Sequence, residues 1–152
     1  MGKDKTDFNL EQAIGFNLNR AAYLMSETVA ARFREQAFQL TAQDFGILYR
    51  VWKQDGLSQV ELAALMLRDK TTITRRLDGL VKKGLIERRM SAEDRRVFLI
   101  HLTAAGRKAM AKLTAIVSDF QQEVLSEIPE RDKASTLRTL KRISEKLLRN
   151  ET

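Results

Sequence analysis

The stretch that decides the fold is residues 69–103, DKTTITRRLDGLVKKGLIERRMSAEDRRVFLIHLT. Asp69 can cap a helix that runs to Lys83, and Gly84 can supply the left-handed residue that ends it. The residues after Gly84 predict a short strand, a polar turn and a β-branched, aromatic partner strand, at 86–89, 90–95 and 97–102. The order is that of a helix followed directly by a β-hairpin.

The sequence before Asp69 predicts two more helices. Ser58-Gln59-Val60-Glu61 has the pattern of a capping box and opens a short helix whose inward residues are Leu62, Leu65 and Met66. Thr41-Ala42-Gln43-Asp44 has the same pattern and opens a helix with the apolar face Phe45, Leu48, Tyr49 and Trp52. A short helix, a tight turn, a second helix and a hairpin predict a winged helix-turn-helix over 41–103.

Long amphipathic helices are expected on both sides of this segment. Apolar residues at spacings of three and four predict a helix over 9–36, after a frayed tail at 1–8. Thr103 can cap a helix over 104–127, which ends before Pro129. A last helix over 130–149 follows, with Leu137, Leu140, Ile143 and Leu147 inward. The predicted fold is mainly α with a small β-hairpin wing, in one domain over 1–152.

The positive charge is concentrated in one part of the chain. The 152 residues carry 27 Lys+Arg and 20 Asp+Glu, a net charge of +7. Residues 68–96 hold ten basic and five acidic residues, whereas residues 1–67 hold seven and eight. Five of the seven excess charges therefore lie in the predicted recognition helix and wing, which points to nucleic acid.

Several classes of function are disfavoured by composition. The chain has no Cys and one His, which excludes thiol catalysis, disulfides and cysteine-based redox sensing. We find no metal-ligand set, Gly-rich phosphate loop or nucleophile motif, so we expect neither an enzyme nor a cofactor. No signal peptide or membrane span is visible, so we expect a cytoplasmic protein.

One face of the helix over 69–83 has the side chains that a DNA major groove requires. On a helical wheel Ile73, Leu77, Leu80 and Val81 lie together, and the opposite face holds Thr71, Arg75, Gly79 and Lys82, with Arg68, Thr72 and Asp78 flanking. Arg75 can pair with guanine, while Thr71, Thr72 and Lys82 can contact phosphates. Arg76 lies nearer the buried side and reaches along the flank. A basic, solvated helix face is the alternative.

The order of these elements and their motifs resemble the multiple antibiotic resistance regulator (MarR) family of transcription factors. The similarity is carried by Asp94-Arg95-Arg96 through Leu102-Thr103, a D-x-R-x-x-x-x-x-L-T wing pattern, and by Thr72–Leu77 and Leu80–Ile86. The resemblance implies a homodimer, formed by the helices over 9–36 and 104–149, that grips a palindromic operator. It also implies a repressor that a small aromatic or anionic ligand can release.

The hairpin arginines are candidate DNA contacts. By resemblance, Arg96 inserts into the minor groove and Asp94 orients it, although the two side chains could simply pair across the turn. Arg89 and Arg95 are expected at phosphates. If the charge served only sequence-independent binding, the chain would instead be an architectural protein.

The resemblance also implies a ligand site between the winged segment and the dimerisation helices. Tyr23, Phe45 and Trp52 are aromatic candidates to line it, and Arg20 could receive a carboxylate. Ordinary core packing is the alternative for the three aromatic residues, and a structural role is the alternative to any pH or ligand role for His101.

Overall fold

The computed structural model describes residues 8–150, which fall into two units that divide between Val117 and Ser118. Most of the predicted N-terminal tail lies outside the described residues. A 3-10 turn comes first, and the other elements follow in chain order: Leu10–Gln12, α1 (Ile14–Glu35), α2 (Ala42–Lys53), β1 (Leu57–Ser58), α3 (Gln59–Met66), α4 (Lys70–Lys82), β2 (Ile86–Met90), β3 (Phe98–Leu102), α5 (Ala104–Val124) and α6 (Glu130–Asn150). The predicted fold class is confirmed.

The wing is a three-stranded antiparallel sheet in the order β1-β3-β2. β2 and β3 form the predicted hairpin, in which Ile86 lies opposite Leu102 and Met90 lies opposite Phe98. The short strand β1, which pairs Leu57 with Ile100, was not predicted. Two residues are too few to show the alternation that identifies a strand, so β1 is defined only by its partner.

The predicted helix starts are confirmed by their hydrogen bonds. Thr41 and Asp44 form a capping box on α2, and Ser58 and Glu61 form one on α3. These side chains accept hydrogen bonds from backbone N–H groups that the first helical turn leaves unpaired. The left-handed residue after α4 is Gly84, as predicted, at φ +69°.

The core of the first unit corrects two predicted inward faces. In α2 the buried stripe is Asp44, Ile47, Leu48 and Val51, whereas Trp52 is 44% exposed and Phe45 and Tyr49 are half-buried. In α3 only Leu62 is buried, and Leu65 is 43% exposed. The predicted α2 stripe was rotated, because aromatic residues flank an aliphatic stripe that also has helical spacing.

Several boundaries of helices and strands differ from the prediction. The helix predicted over 9–36 is interrupted at Ala13, whose backbone is extended, so α1 begins at Ile14. Helix α5 ends at Val124 and not at 127, and β3 begins at Phe98 and not at 97. In the second unit, α6 has no buried residue, and two of the residues predicted to face inward, Leu137 and Leu147, are 57% and 60% exposed.

The stem of the hairpin is fixed to the start of α5. The Thr103 hydroxyl donates to the Gly84 carbonyl at 2.6 Å and accepts the Gly106 N–H at 2.9 Å. The Thr103 N–H donates to the Leu85 carbonyl at 3.1 Å. A Cβ at Gly106 would lie 2.0 Å from the Leu85 oxygen, so this close approach requires glycine.

Candidate nucleic-acid interface

Helix α4 buries one face and exposes a cationic one. Ile73, Leu77 and Leu80 are buried, while Arg75 and Lys82 are exposed. Among residues 8–150 neither cation has a hydrogen-bonding or ion-pair partner. A Cβ at Gly79 would come no closer than 4.0 Å to the Lys83 Nζ, so this face is open. Two exposed cations on a rigid helix can reach base edges and phosphates in a major groove.

The first turn of α4 is organised by Asp69. Its carboxylate accepts the Thr72 N–H at 2.8 Å and the Thr72 hydroxyl at 2.7 Å. These two bonds hold the pKa of Asp69 below its usual value. The Thr72 hydroxyl is therefore occupied, and its contact to phosphate stays a prediction. Thr71 is exposed beside it.

The wing tip presents a forked ion pair. Nε of Arg96 lies 3.1 Å from Oδ1 of Asp94 and Nη2 lies 3.2 Å from Oδ2, while the Arg96 N–H donates to the same carboxylate at 3.0 Å. These bonds lower the pKa of Asp94. The Arg96 side chain is nevertheless 90% exposed, and Arg95 beside it is exposed too. Asp94 and Arg96 thus pair across the turn, and insertion of Arg96 into a minor groove stays a prediction.

The other hairpin arginines are held by acidic neighbours. Arg89 donates from Nε to Glu87 at 2.8 Å on the same strand. Arg88 donates to Asp78 of α4 at 2.7 Å. The Arg88–Asp78 bond joins the recognition helix to the wing and so limits the angle between them. Neither pairing was predicted.

Arg76 lies on the inner flank of α4, as expected, where it contacts α2. Its Nη1 donates to Thr41 Oγ1 at 3.0 Å and to Asp44 Oδ1 at 3.2 Å. Asp44 is the one buried charged residue in the described chain, and it also accepts the Thr41 N–H at 2.9 Å. The predicted DNA contact at Arg76 is therefore engaged in holding α4 against the start of α2.

His101 has a structural partner at the base of the wing. Its Nδ1 lies 2.8 Å from Oδ2 of Asp55, in the loop before β1. Burial raises the pKa of Asp55, but the hydrogen bond and the charge of His101 outweigh it and leave that pKa below its usual value. The pair joins β3 to this loop.

The chain is similar to known transcriptional regulators. The family model described as "MarR family" matches residues 40–98. The HTH-type transcriptional regulator BilQ of Clostridium symbiosum is 31% identical over 114 residues, which span 73% of this chain and 79% of that protein. The chain belongs to the MarR family. Membership places it among transcriptional regulators.

Solved structures of MarR-family proteins have the same fold. The transcriptional repressor CouR, bound to a 23-mer DNA duplex, is 27% identical with a TM-score of 0.80, covering 94% of this chain and 99% of that one. The MepR–DNA complex of Staphylococcus aureus is 24% identical with a TM-score of 0.79, covering 90% and 98%. The second likeness establishes the fold alone.

A cleft in the first unit of this MarR-family chain lies beside the interface. It encloses about 510 Å³ and is lined by α1, the start of α2 and the α3–α4 segment. Tyr23, Arg68 and Arg76 line it, together with Glu27 and Thr41. Arg68 was predicted as a DNA contact, and its guanidinium contacts only the Leu67 carbonyl, at 3.4 Å, in the described chain.

The other predicted ligand residues lie elsewhere. Phe45 and Trp52 belong to a row of rings in which Phe45 and Tyr49 are 6.0 Å apart and Tyr49 and Trp52 are 5.9 Å apart. Lys53 Nζ lies 4.9 Å from the Trp52 ring. Neither Phe45, Trp52 nor Arg20 lines the cleft, so the structure brings only Tyr23 of the four to it.

Sequence reasoning missed Lys70 and the anchoring role of Asp44. Lys70 lines a shallow depression on α4 with Thr71, Thr74 and Arg75, and its position in the first helical turn was the available signal. Over residues 8–150, no group of three His, Asp or Glu side chains could hold a metal ion. No helix in that range is long and apolar enough to cross a membrane.

Proposed function

We propose that this chain binds a palindromic operator as a homodimer and represses transcription from it. The observation that carries this proposal is the uncovered cationic face of α4, with Arg75 and Lys82 exposed beside the exposed Arg95 and Arg96 of the wing. All four of these side chains are exposed, including Arg96, which pairs with Asp94. Exposed cations of this kind can contact phosphates and base edges. CouR, a repressor solved on DNA, supports the same assignment.

Each predicted DNA contact receives a role from its position. Arg75 reads a base, and Lys82, Thr71, Arg95 and Arg89 contact phosphates. Arg96 enters the minor groove, with Asp94 as its orienting carboxylate. Thr72 contributes through the capped first turn, and Arg68 contacts the backbone at the edge of α4. Arg76 positions α4 through Asp44 and does not touch DNA.

Exposed apolar residues on both terminal helices support the homodimer. Ile14 and Leu24 of α1 and Leu137 and Leu147 of α6 are more than half exposed in the single chain. Helices of this kind bury such residues against a second copy. The protein acts in the cytoplasm and without catalysis.

A selection from random DNA tests the proposal. Purified protein is expected to enrich a palindrome with half-sites about 10 bp apart, the spacing of two recognition helices on one face of DNA. Arg75→Ala should relax one base position in each half-site by about 1–3 kcal/mol. Lys82→Ala should weaken all sequences alike and leave the motif unchanged. Enrichment of no motif, or the same motif at the same strength with Arg75→Ala, would contradict the proposal.

We also propose that a small aromatic anion binds in the cleft and releases the DNA. Its volume of about 510 Å³ suits such a molecule, and Tyr23 and Arg68 offer a ring and a cation. Benzoate and hydroxybenzoates are suitable probes in a thermal-shift assay. The shift should disappear in Arg68→Gln and persist in Arg50→Gln, which removes an exposed cation outside the cleft. Equal shifts in both variants would refute the site.

A further inference from the structure

Helix α6 carries two opposed stripes. Four arginines recur at intervals of seven, four and seven residues: Arg131, Arg138, Arg142 and Arg149. At about 100° per residue they lie within ~40° of one another, on the side of the helix opposite Leu140 and Leu147. The stripe extends over almost the whole helix, with Glu145 at its edge between Arg142 and Arg149.

The charge of this stripe is not neutralised within α6. The helix holds seven basic and three acidic residues, a surplus of four. Arg131 lies 3.3 Å from Asp132, and Arg149 lies 3.9 Å from Glu145, near the two ends. Arg138 and Arg142, in the middle, are exposed and form no ion pair within residues 8–150.

The middle of the stripe opposes helix formation. Arg138 stands three residues before Lys141 and four before Arg142, and Arg142 stands four before Lys146, with Glu145 as the acidic residue among them. Like-charge pairs at a spacing of three or four residues destabilise a helix, and Glu145 offsets only part of this repulsion. Solubility requires no such arrangement, because interspersed charges of both signs serve it better. A polyanionic partner would offset the repulsion.

We propose that the arginine stripe of α6 binds the phosphate backbone of duplex DNA without reading its sequence. The stripe spans 19 residues, from Arg131 to Arg149, or roughly 27 Å. Over that length the two strands of a duplex together present a phosphate about every 1.7 Å along the axis. Guanidinium groups suit phosphates because they donate in a planar fork. The stripe shares no residue with α4 or the wing, but its proposed partner rests on the proposed DNA-binding function.

A membrane surface fits this helix less well. The apolar side of α6 is aliphatic, with no aromatic residue to lie at a lipid interface. In the proposed homodimer a second copy covers that apolar side, which leaves only the arginine stripe accessible. Duplex DNA needs only the stripe.

The test compares two double variants that remove the same charge. Arg138→Gln with Arg142→Gln removes the centre of the stripe. Lys108→Gln with Lys112→Gln is the matched control, because it removes two exposed cations four residues apart on α5. Binding to random-sequence duplexes of about 20 and about 60 bp is measured by fluorescence anisotropy from about 50 to 200 mM salt, the range in which phosphate contacts weaken strongly.

The arginine variant should give a shallower plot of log K against log salt, by about 1.8 for each protomer whose stripe touches DNA. The ratio of the wild-type to the variant binding constant should therefore fall about tenfold over that salt range. The lysine control should have the same slope as the wild type. If the salt slopes of the wild type and the arginine variant differ on the short duplex, α6 contacts DNA within the bound site. If they differ on the long duplex alone, α6 contacts flanking DNA. Capture of a second duplex by an immobilised complex indicates bridging.

Equal slopes for the wild type and the arginine variant on both duplexes, without bridging, would overturn the proposal. So would a loss of dimer in sedimentation, which would make the stripe a contact between copies, or stripe-dependent pelleting with phosphatidylserine vesicles without an effect on DNA. The double variant Arg95→Gln with Arg96→Gln, measured in the same assay, shows whether the wing binds DNA. It therefore distinguishes failure of the α6 inference from failure of the proposed DNA-binding function. If that variant weakens binding and the α6 variant does not, only the inference fails.

Discussion

Replacing Arg76 by Gln should lower the free energy of unfolding without changing the number of contacts to DNA. Arg76 donates to Thr41 and Asp44 at 3.0 and 3.2 Å, and the Arg76 and Asp44 side chains are 29% and 11% exposed. A hydrogen bond to a charged group contributes about 1.5–3 kcal/mol when buried. Solvent reaches both side chains, so we expect the free energy of unfolding to fall by about 1–2 kcal/mol.

A double-mutant cycle isolates this contact. Asp44→Asn removes the charge that Arg76 faces, and the coupling between the two substitutions should be about 1 kcal/mol. Urea denaturation of the full chain measures all four corners of the cycle. Lys82→Gln, at an exposed position on the same helix, should change the free energy of unfolding by less than about 0.5 kcal/mol.

The salt dependence of DNA binding distinguishes a residue that holds α4 in place from one that contacts phosphate. Arg76→Gln should keep the wild-type salt slope, whereas Lys82→Gln should lower it by about 0.9 for each protomer bound to DNA. If Arg76→Gln lowers the slope by the same amount and leaves the free energy of unfolding unchanged, Arg76 contacts the backbone directly and the positioning role is wrong.

Three further perturbations follow from the structure. Gly106→Ala should lower the free energy of unfolding by about 1–3 kcal/mol in urea, because its Cβ would meet the Leu85 carbonyl; an increase would show that the helix start can shift without loss. Leu67→Gly should raise the free energy of unfolding by about 0.5–1 kcal/mol, because Leu67 ends α3 in the left-handed region at φ +50°. A lower free energy of unfolding in this variant would mean that the exposed Leu67 side chain makes a stabilising contact. The lowered pKa of Asp69 means that its cap stabilises the fold above the unfolded pKa of about 4 and that this stabilisation is lost as the pH falls through the folded pKa. Asp69→Asn should therefore lose less stability than the wild type on acidification in a urea series, and parallel pH curves would argue against the cap.

Local signals in the sequence predicted most of the winged segment. The capping boxes at Thr41 and Ser58 and the left-handed Gly84 depend on neighbours within three or four residues, so their chemistry is readable from the chain. The exposed face of α4 followed from helical spacing alone. Such features depend on residues close together in the sequence.

Features that depend on distant partners were not readable. Strand β1 is only Leu57–Ser58, and it is a strand because β3 lies beside it. Arg76 and Asp44 are 32 residues apart, and nothing near either one identifies the other. In α2, an aromatic and an aliphatic stripe both had helical spacing, and only packing places Ile47 and Val51 inward.

Because its stem is anchored, the wing is held at its base and projects toward its tip. Thr103 ties the end of β3 to Gly84 and Leu85, just before β2, so both strands leave from one fixed point. Among residues 8–150, the tip residues 91–97 make their hydrogen bonds and ion pairs with one another. The reach of the tip can therefore change by insertion or deletion at residues 92–93 with little effect on the recognition helix. Evolution of this chain toward a new operator could alter tip length independently of the side chains on α4.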